Sequence, residues 1–170
     1  IWVKNRAGVE NWPVYISALG NNRSMFLNSS GADYEADWWG YTNPTENNFT
    51  VATTANPINN SSYNYIAYLF ASLDGISKVG SYTGDGTTDG SKVIDCGFSN
   101  SARFVLIKTS SHSDPWLVFD SVRGIVSSGN DPYLRLNDTS AEQAGLDVLD
   151  PQSSGFGVRG NLTNVNNYTY

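Results

Sequence analysis

The 170-residue chain contains one cysteine, one histidine and one methionine. A lone Cys96 excludes an internal disulfide framework, and with His112 as the only imidazole the chain cannot build a Cys/His zinc site. Basic charge is short as well. Ten Lys and Arg stand against sixteen Asp and Glu, a net charge of −6, so the basic stripe of a general nucleic-acid binder is missing. No apolar run approaches the roughly 20 residues of a membrane-spanning helix. Straight-chain helix formers are scarce, with four Glu, four Lys and two Gln, which excludes a helical bundle.

Small polar residues are what the chain has in quantity. Asn, Ser, Thr and Gly number 19, 21, 12 and 16, or 40% of all residues. Aromatics reach 13%, too many for a disordered chain. Aromatic and β-branched residues punctuated by Asn, Gly and Ser describe a β protein with many turns.

Short apolar or alternating runs bounded by turn residues predict strands at Ile1–Lys4, Trp12–Ser17, Ser24–Asn28, Phe49–Ala52, Tyr63–Phe70 and Val79–Thr83. Further strands are expected at Lys92–Asp95, Arg103–Lys108, Trp116–Ser121, Tyr133–Asn137, Phe156–Arg159 and Tyr168–Tyr170. Tyr63–Phe70 becomes apolar on both faces, which predicts a central strand. Ser140–Leu149 is the one stretch expected to admit a helical turn.

An internal repeat organises these strands. A shift of 104 residues places Lys4 on Lys108, Trp12 on Trp116, Val14 on Val118, Ser17 on Ser121 and Gly20 on Gly124, without a gap. Five extra residues around Ser127–Asp131 then move the offset to 109, where Leu27-Asn28 meets Leu136-Asn137. Phe49-x-Val51 later meets Phe156-x-Val158, and Tyr63-x-Tyr65 meets Tyr168-x-Tyr170. The period is the size of a small β-sandwich. The expected fold is therefore all-β, with antiparallel sandwich or jelly-roll-like units in tandem. Residues 1–73 would be the last part of one unit. Residues 74–170 would be a second unit cut within its final strand, with packing of the two as one sandwich as the alternative. The chain, opening on Ile-Trp-Val, reads as a slice of a longer array that needs other sequence or other subunits to cover both ends.

Several clusters invite a chemical reading. Trp12 and Trp116 could stack on sugar rings, but their shared repeat position favours a core or inter-sheet role. Trp38, Trp39 and Tyr41 lie among Asp33, Glu35 and Asp37 in a loop that also holds Tyr34. Aromatic faces beside carboxylates suit a glycan platform. A loop folded over a sheet edge or against a neighbouring subunit is the alternative. A glycosidase pair from the same carboxylates would need a fixed separation in a cleft, which a sequence does not supply. In Gly84–Gly90, Asp85 and Asp89 are weak calcium candidates, against a hairpin that uses Asp-Gly twice. His112 sits between Ser111 and Asp114 in one turn, where a hydrolase triad cannot converge. Cys96 reads as packing rather than as a nucleophile. Asn-x-Ser/Thr triplets at Asn22, Asn28, Asn48, Asn59, Asn60, Asn137, Asn161 and Asn167 follow from composition and accept glycans only in a eukaryotic secretory route.

Several segments together resemble a β-rich repeat domain of tailed-phage virion proteins. They are Trp2–Arg6, Trp12-x-Val14-Tyr15, Phe26–Ser30, Tyr65–Ala71, Lys78–Gly84, Phe104–Lys108 and Trp116–Gly124. The resemblance implies a tail-fibre, spike or capsid-surface protein of aquatic bacterial viruses, placed on the virion surface or outside the cell. It implies no catalytic residue and no cofactor. Expected partners are other virion proteins or further copies of the chain, with a host surface glycan as a second class of ligand. No nucleic acid and no membrane insertion are expected. The expected function is structural and adhesive. A lectin-like module is the alternative, and a polysaccharide depolymerase has the least support.

Overall fold

A computed structural model describes residues 1–53, 57–160 and 162–170. The chain is nearly all-β, in antiparallel strands of two to four residues. It divides into two compact units, Ile1–Phe70 and Ala71–Tyr170.

The first unit carries β1 (Trp2–Asn5), β2 (Pro13–Val14), β3 (Arg23–Phe26), β4 (Tyr34–Glu35) and β5 (Tyr65–Tyr68) in one sheet of order β4-β3-β2-β1-β5. Period-2 alternation along β1 buries Val3 and Asn5 and leaves Trp2 and Lys4 partly exposed. Behind the sheet, Val3, Tyr15, Trp39, Ala52 and Ile58 form the core. Tyr15 and Trp39 meet edge-to-face at 5.5 Å, the arrangement that the ring quadrupoles favour.

The second unit holds β6 (Lys92–Asp95), β7 (Phe104–Ile107), β8 (Leu117–Asp120), β9 (Tyr133–Arg135), β10 (Leu149–Gln152) and β11 (Gly155–Val158), followed by α1, a single turn at Thr163–Asn166. The strands form two sheets, β10-β11-β6 and β7-β8-β9. Val105, Ile107, Leu117, Phe119 and Tyr133 from one sheet join Leu149, Phe156 and Val158 from the other in one apolar cluster. Central β11 is buried along its whole length. Its Gly155 lets β6 approach, since a Cβ there would lie 2.1 Å from the Ile94 carbonyl oxygen.

The three-strand meanders of the two units share a register. Trp2 pairs with Val14, and Leu106 with Val118, each partner displaced by 104 residues. Pro13 pairs with Phe26, and Leu117 with Arg135, as the offsets of 104 and 109 require. The Trp12 and Trp116 amides each donate to a side-chain oxygen, Asn28 Oδ1 at 2.9 Å and Asn137 Oδ1 at 2.8 Å. The Leu27 and Leu136 amides donate back to those tryptophan carbonyls, at 2.9 Å in both cases.

Some sequence expectations need correction. Phe49–Ala52, Val79–Thr83 and Tyr168–Tyr170 form no strand, although Thr83 and Thr169 make one isolated bridge. Ser140–Leu149 has no helical turn; among the described residues helical turns lie at Ser17–Leu19, as a 3-10 turn, and at Thr163–Asn166, where Val165 is buried in the core. Burial there overrides the weak helix propensity of Thr-Asn-Val-Asn. The sequence reading also missed β4 and β10. Strand β10 contains Asp150-Pro151, both poor strand formers, but it lies at a sheet edge, where proline's missing N–H is tolerated. Finally, Tyr63–Phe70 is not central: the part that forms a strand, β5, is the last strand of its sheet.

Asp131 anchors the loops of the second unit. It is fully buried. Its Oδ2 accepts the Val148 amide at 2.7 Å and the Leu149 amide at 2.9 Å, and its Oδ1 accepts the Val126 amide at 3.1 Å. Replacing it orphans three backbone donors, each costing about 1–3 kcal/mol if buried. Asp131→Ala should therefore destabilise the second unit by about 3–5 kcal/mol, with Asp131→Asn, which keeps one acceptor oxygen, recovering part of the loss in urea unfolding curves.

Candidate functional site

The acidic aromatic loop does not assemble as a platform. Trp39 is 1% exposed and has no face to offer a sugar. Trp38 packs against Phe26 and Tyr34 at 5.4 and 5.5 Å. Burial of Tyr34 pushes its phenol well above the usual range. Tyr41 is exposed and held in the left-handed region at φ 49°, with its carbonyl accepting from Asn21 Nδ2 at 2.9 Å. Asp33 is committed to Arg23, and Glu35 and Asp37 are solvated. The loop thus closes one end of the core rather than presenting stacked rings beside free carboxylates.

A different set of aromatics is exposed. Even-numbered residues of β1 and β5 project away from the Val3 side. Trp2 meets Phe70 with ring centroids 4.6 Å apart. Trp12 stacks on Tyr68 at 6.2 Å and 21°, and Lys4 Nζ lies 5.9 Å from the Trp12 ring centroid. Tyr68 and Phe70 are exposed, as are Ile66 and Leu69. From sequence, Trp12 is expected in a core or inter-sheet role, and Trp2 is not singled out as a site residue. The signal that could have found this surface was the even-position series Asn64, Ile66, Tyr68, Phe70, in which apolar residues gather on one face toward the strand's end. In the second unit Trp116 is buried, so the two tryptophans share backbone bonds but not surroundings.

Lys4 and Lys108 act as loop clasps. Lys4 Nζ donates to the Gly8 and Glu10 carbonyls, both at 2.9 Å. Lys108 Nζ donates to the Thr109 carbonyl at 2.7 Å and to the His112 carbonyl at 3.4 Å. Beside them, Asn5 Nδ2 donates to Glu10 Oε2 at 2.8 Å and Thr109 Oγ1 to Asp114 Oδ2 at 3.4 Å. His112 belongs to this clasped turn: its Nδ1 lies 3.1 Å from Asp114 Oδ2, and its ring stacks on Tyr168 at 4.5 Å. The two turn glycines of the repeat, Gly20 and Gly124, both take positive φ, 86° and 138°, which favours glycine over L side chains.

Asp85 and Asp89 each use one carboxylate oxygen, Oδ1, to bond their own turns. Asp85 Oδ1 accepts the Thr87 amide at 3.0 Å and the Thr87 hydroxyl at 2.8 Å, with Asn166 Nδ2 at 3.2 Å. Asp89 Oδ1 accepts the Ser91 amide at 2.9 Å. Among the described residues, no three Asp, Glu, His or Cys side chains group as a metal site. Buried Asp150 and nearby Asp147 flank Arg159, whose Nε lies 2.9 and 3.1 Å from them. Desolvation holds the Asp147 carboxyl above its ordinary value. This triplet joins β10 and β11 and is a structural ion pair. Burial, then the neighbouring Asp95 charge, pushes the Cys96 thiol up, away from the reactive thiolate. Of the glycan-acceptor triplets, Asn28 and Asn137 use their side chains to hold tryptophan amides, and Asn161 lies outside the described residues.

These features define an all-β module of antiparallel meanders whose polar side chains are mainly engaged in turns. The chain belongs to the family described as a domain of unknown function (DUF7483), whose profile matches residues 1–170. No curated protein and no solved structure matches the chain.

Two expectations follow. Trp39→Ala should destabilise the first unit by about 3–5 kcal/mol, while Tyr41→Ala should change stability by no more than about 0.5 kcal/mol, both read from chemical unfolding. The second concerns acid. Backbone N–H donors, those of Thr87, Gly97, Arg123 and Ser140 foremost, hold the carboxyls of Asp85, Asp95, Asp120 and Asp138 below their ordinary value. A depressed folded pKa gives stability that is complete above the unfolded value and lost as pH falls through the folded one. Asp147 opposes this trend. The melting temperature should therefore be flat above about pH 5 and fall below about pH 4, less steeply in Asp120→Asn.

Proposed function

We propose that the chain is a non-enzymatic structural and adhesive module of a virion surface assembly, such as a fibre, spike or capsid decoration. The observation that carries this reading is the exposed apolar end of β5. Ile66, Tyr68, Leu69 and Phe70 are all solvent-exposed at the edge of a sheet. Apolar side chains on an open strand edge suit lateral contact with another polypeptide, and a free-standing protein must otherwise protect them. The turn aspartates and asparagines described above are engaged in shaping loops, which supports a scaffold over a hydrolytic role. The resemblance to tailed-phage virion proteins supplies the setting.

A lectin-like module is the second reading. It rests on Trp2, Trp12, Tyr68 and Phe70, whose rings pair at one sheet face with Tyr68 and Phe70 exposed, rather than on Trp38, Trp39 and Tyr41, of which Trp39 is buried, Trp38 packs under Phe26 and Tyr34, and only Tyr41 is exposed. Antibodies against residues 1–170 should decorate intact virions of a virus that encodes the chain, seen in negative-stain micrographs, and the chain should bind no component of a glycan array. Unlabelled particles would refute the virion assignment. Array binding abolished by Trp12→Ala would establish the lectin reading, and turnover of a host polysaccharide would establish the enzymatic one.

A further inference from the structure

The second unit shows what covers the edge that the first unit leaves open. In the second unit the terminal segment runs between two neighbours. On one side the Ser110 amide donates to the Thr169 carbonyl at 2.8 Å. On the other, Tyr82 and Tyr170 exchange both backbone bonds, at 3.1 and 2.9 Å. The Gly84 amide donates to the Tyr168 carbonyl at 2.7 Å and the Gly86 amide to the Asn166 carbonyl at 2.8 Å. The Tyr82 ring stacks on Tyr170 at 4.6 Å and 16°, and its hydroxyl donates to the Val165 carbonyl at 2.7 Å. Gly84 makes this approach possible, since a Cβ would lie 2.2 Å from the Asn166 carbonyl carbon.

The first unit has the same inner side. The Arg6 amide donates to the Asn64 carbonyl at 2.8 Å. Arg6 and Asn64 are the counterparts of Ser110 and Thr169 under the offsets of 104 and 105 already found in the sequence. Since Asn64, Ile66 and Tyr68 turn their backbone groups toward β1, the pleat turns those of Tyr63, Tyr65 and Ala67 to the opposite edge. Tyr63 and Tyr65 are the counterparts of Tyr168 and Tyr170, which bond Gly84 and Tyr82. Among the described residues no strand pairs with that edge.

A second vacancy agrees with the first. In the second unit β6 pairs with β11, Ile94 opposite Phe156 and Lys92 opposite Val158. The matching Phe49–Val51 of the first unit forms no strand, although its end is anchored alike. The Ala52 amide donates to the Trp38 carbonyl and the Arg159 amide to the Val148 carbonyl, both at 2.8 Å. Phe49–Val51 holds the position of a strand whose ladder partner is missing.

We infer that the first unit is a strand acceptor. Its β5 edge and its Phe49–Val51 segment together take an extended polypeptide of the sequence type of residues 80–95, donated antiparallel, with a tyrosine stacked on Tyr65 as Tyr82 is on Tyr170. The occupant is a segment from another repeat of this same kind, because that is the chemistry which fills both positions in the second unit. The inference stands apart from the virion reading and holds for any protein that carries the module in series.

The test places a second copy of residues Gly75–Phe104 directly ahead of Ile1. Phe104 precedes Val105, the counterpart of Ile1, so the junction needs no linker. Hydrogen exchange of the Tyr65, Ala67 and Val51 amides should slow by about tenfold or more relative to the natural chain. A fused segment of scrambled order should give no slowing, and Tyr82→Ala made in the fused copy alone should lose most of it. Unchanged exchange at β5, with the second unit's amides still protected, would overturn the proposal. So would strong protection of β5 in the unfused chain with a dimeric mass by light scattering, which would mean that two copies pair edge to edge.

Discussion

The structure depends on side-chain oxygens capturing backbone N–H groups that short strands leave unpaired. Strands of two to four residues satisfy few amides through ladders, and every buried amide without an acceptor carries a penalty. The chain meets this constraint by one device used repeatedly. Asn5, Asn60, Asp85, Asp89, Asp95, Asp120 and Asp138 each accept the amide two residues ahead. Asp131 does the same over a longer range and from a buried position, tying three amides from two other segments. The acidic composition is thus tied to loop geometry: carboxylates in turns are acceptors without the donor that a hydroxyl or amide would also have to place.

The same constraint explains why the two units agree in their backbones more than in their surfaces. Lys4 and Lys108 donate to loop carbonyls, and Asn28 and Asn137 accept from tryptophan amides. These bonds fix the turn between the first two strands and the entry of the third, so they set the register. Side chains on the outer face carry no such duty. Trp12 lies partly open beside Tyr68, whereas Trp116 is buried. Register belongs to hydrogen bonding, while exposure belongs to whatever lies over the sheet.

In functional terms, the polar residues that looked chemical from their neighbours in sequence are spent on architecture. His112, Asp114, Asp85 and Asp89 shape turns, and Arg159 with Asp147 and Asp150 joins two strands. Among the described residues, one exposed apolar surface lies along β5 and its flanking rings. An open strand edge of that kind can take up a polypeptide through main-chain bonds and packing.

The sequence by itself determined the all-β class and most strand positions. These rest on local information: alternation, turn residues and the recurrence of Lys-x₇-Trp-x-Val at Lys4–Val14 and Lys108–Val118. It also determined that His112 and Cys96 would be packing and turn residues, since each lacks neighbours of the needed kind. Only the tertiary structure decided which rings are buried. Trp38 and Trp39 are adjacent in sequence, yet one lines the protein's side and the other fills the core, because the loop folds so that Trp39 meets Tyr15. Only the tertiary structure decided that Tyr63–Phe70 lies at an edge, for strand order is a property of pairings between distant segments, and an apolar run reads the same whether its second neighbour is present or absent.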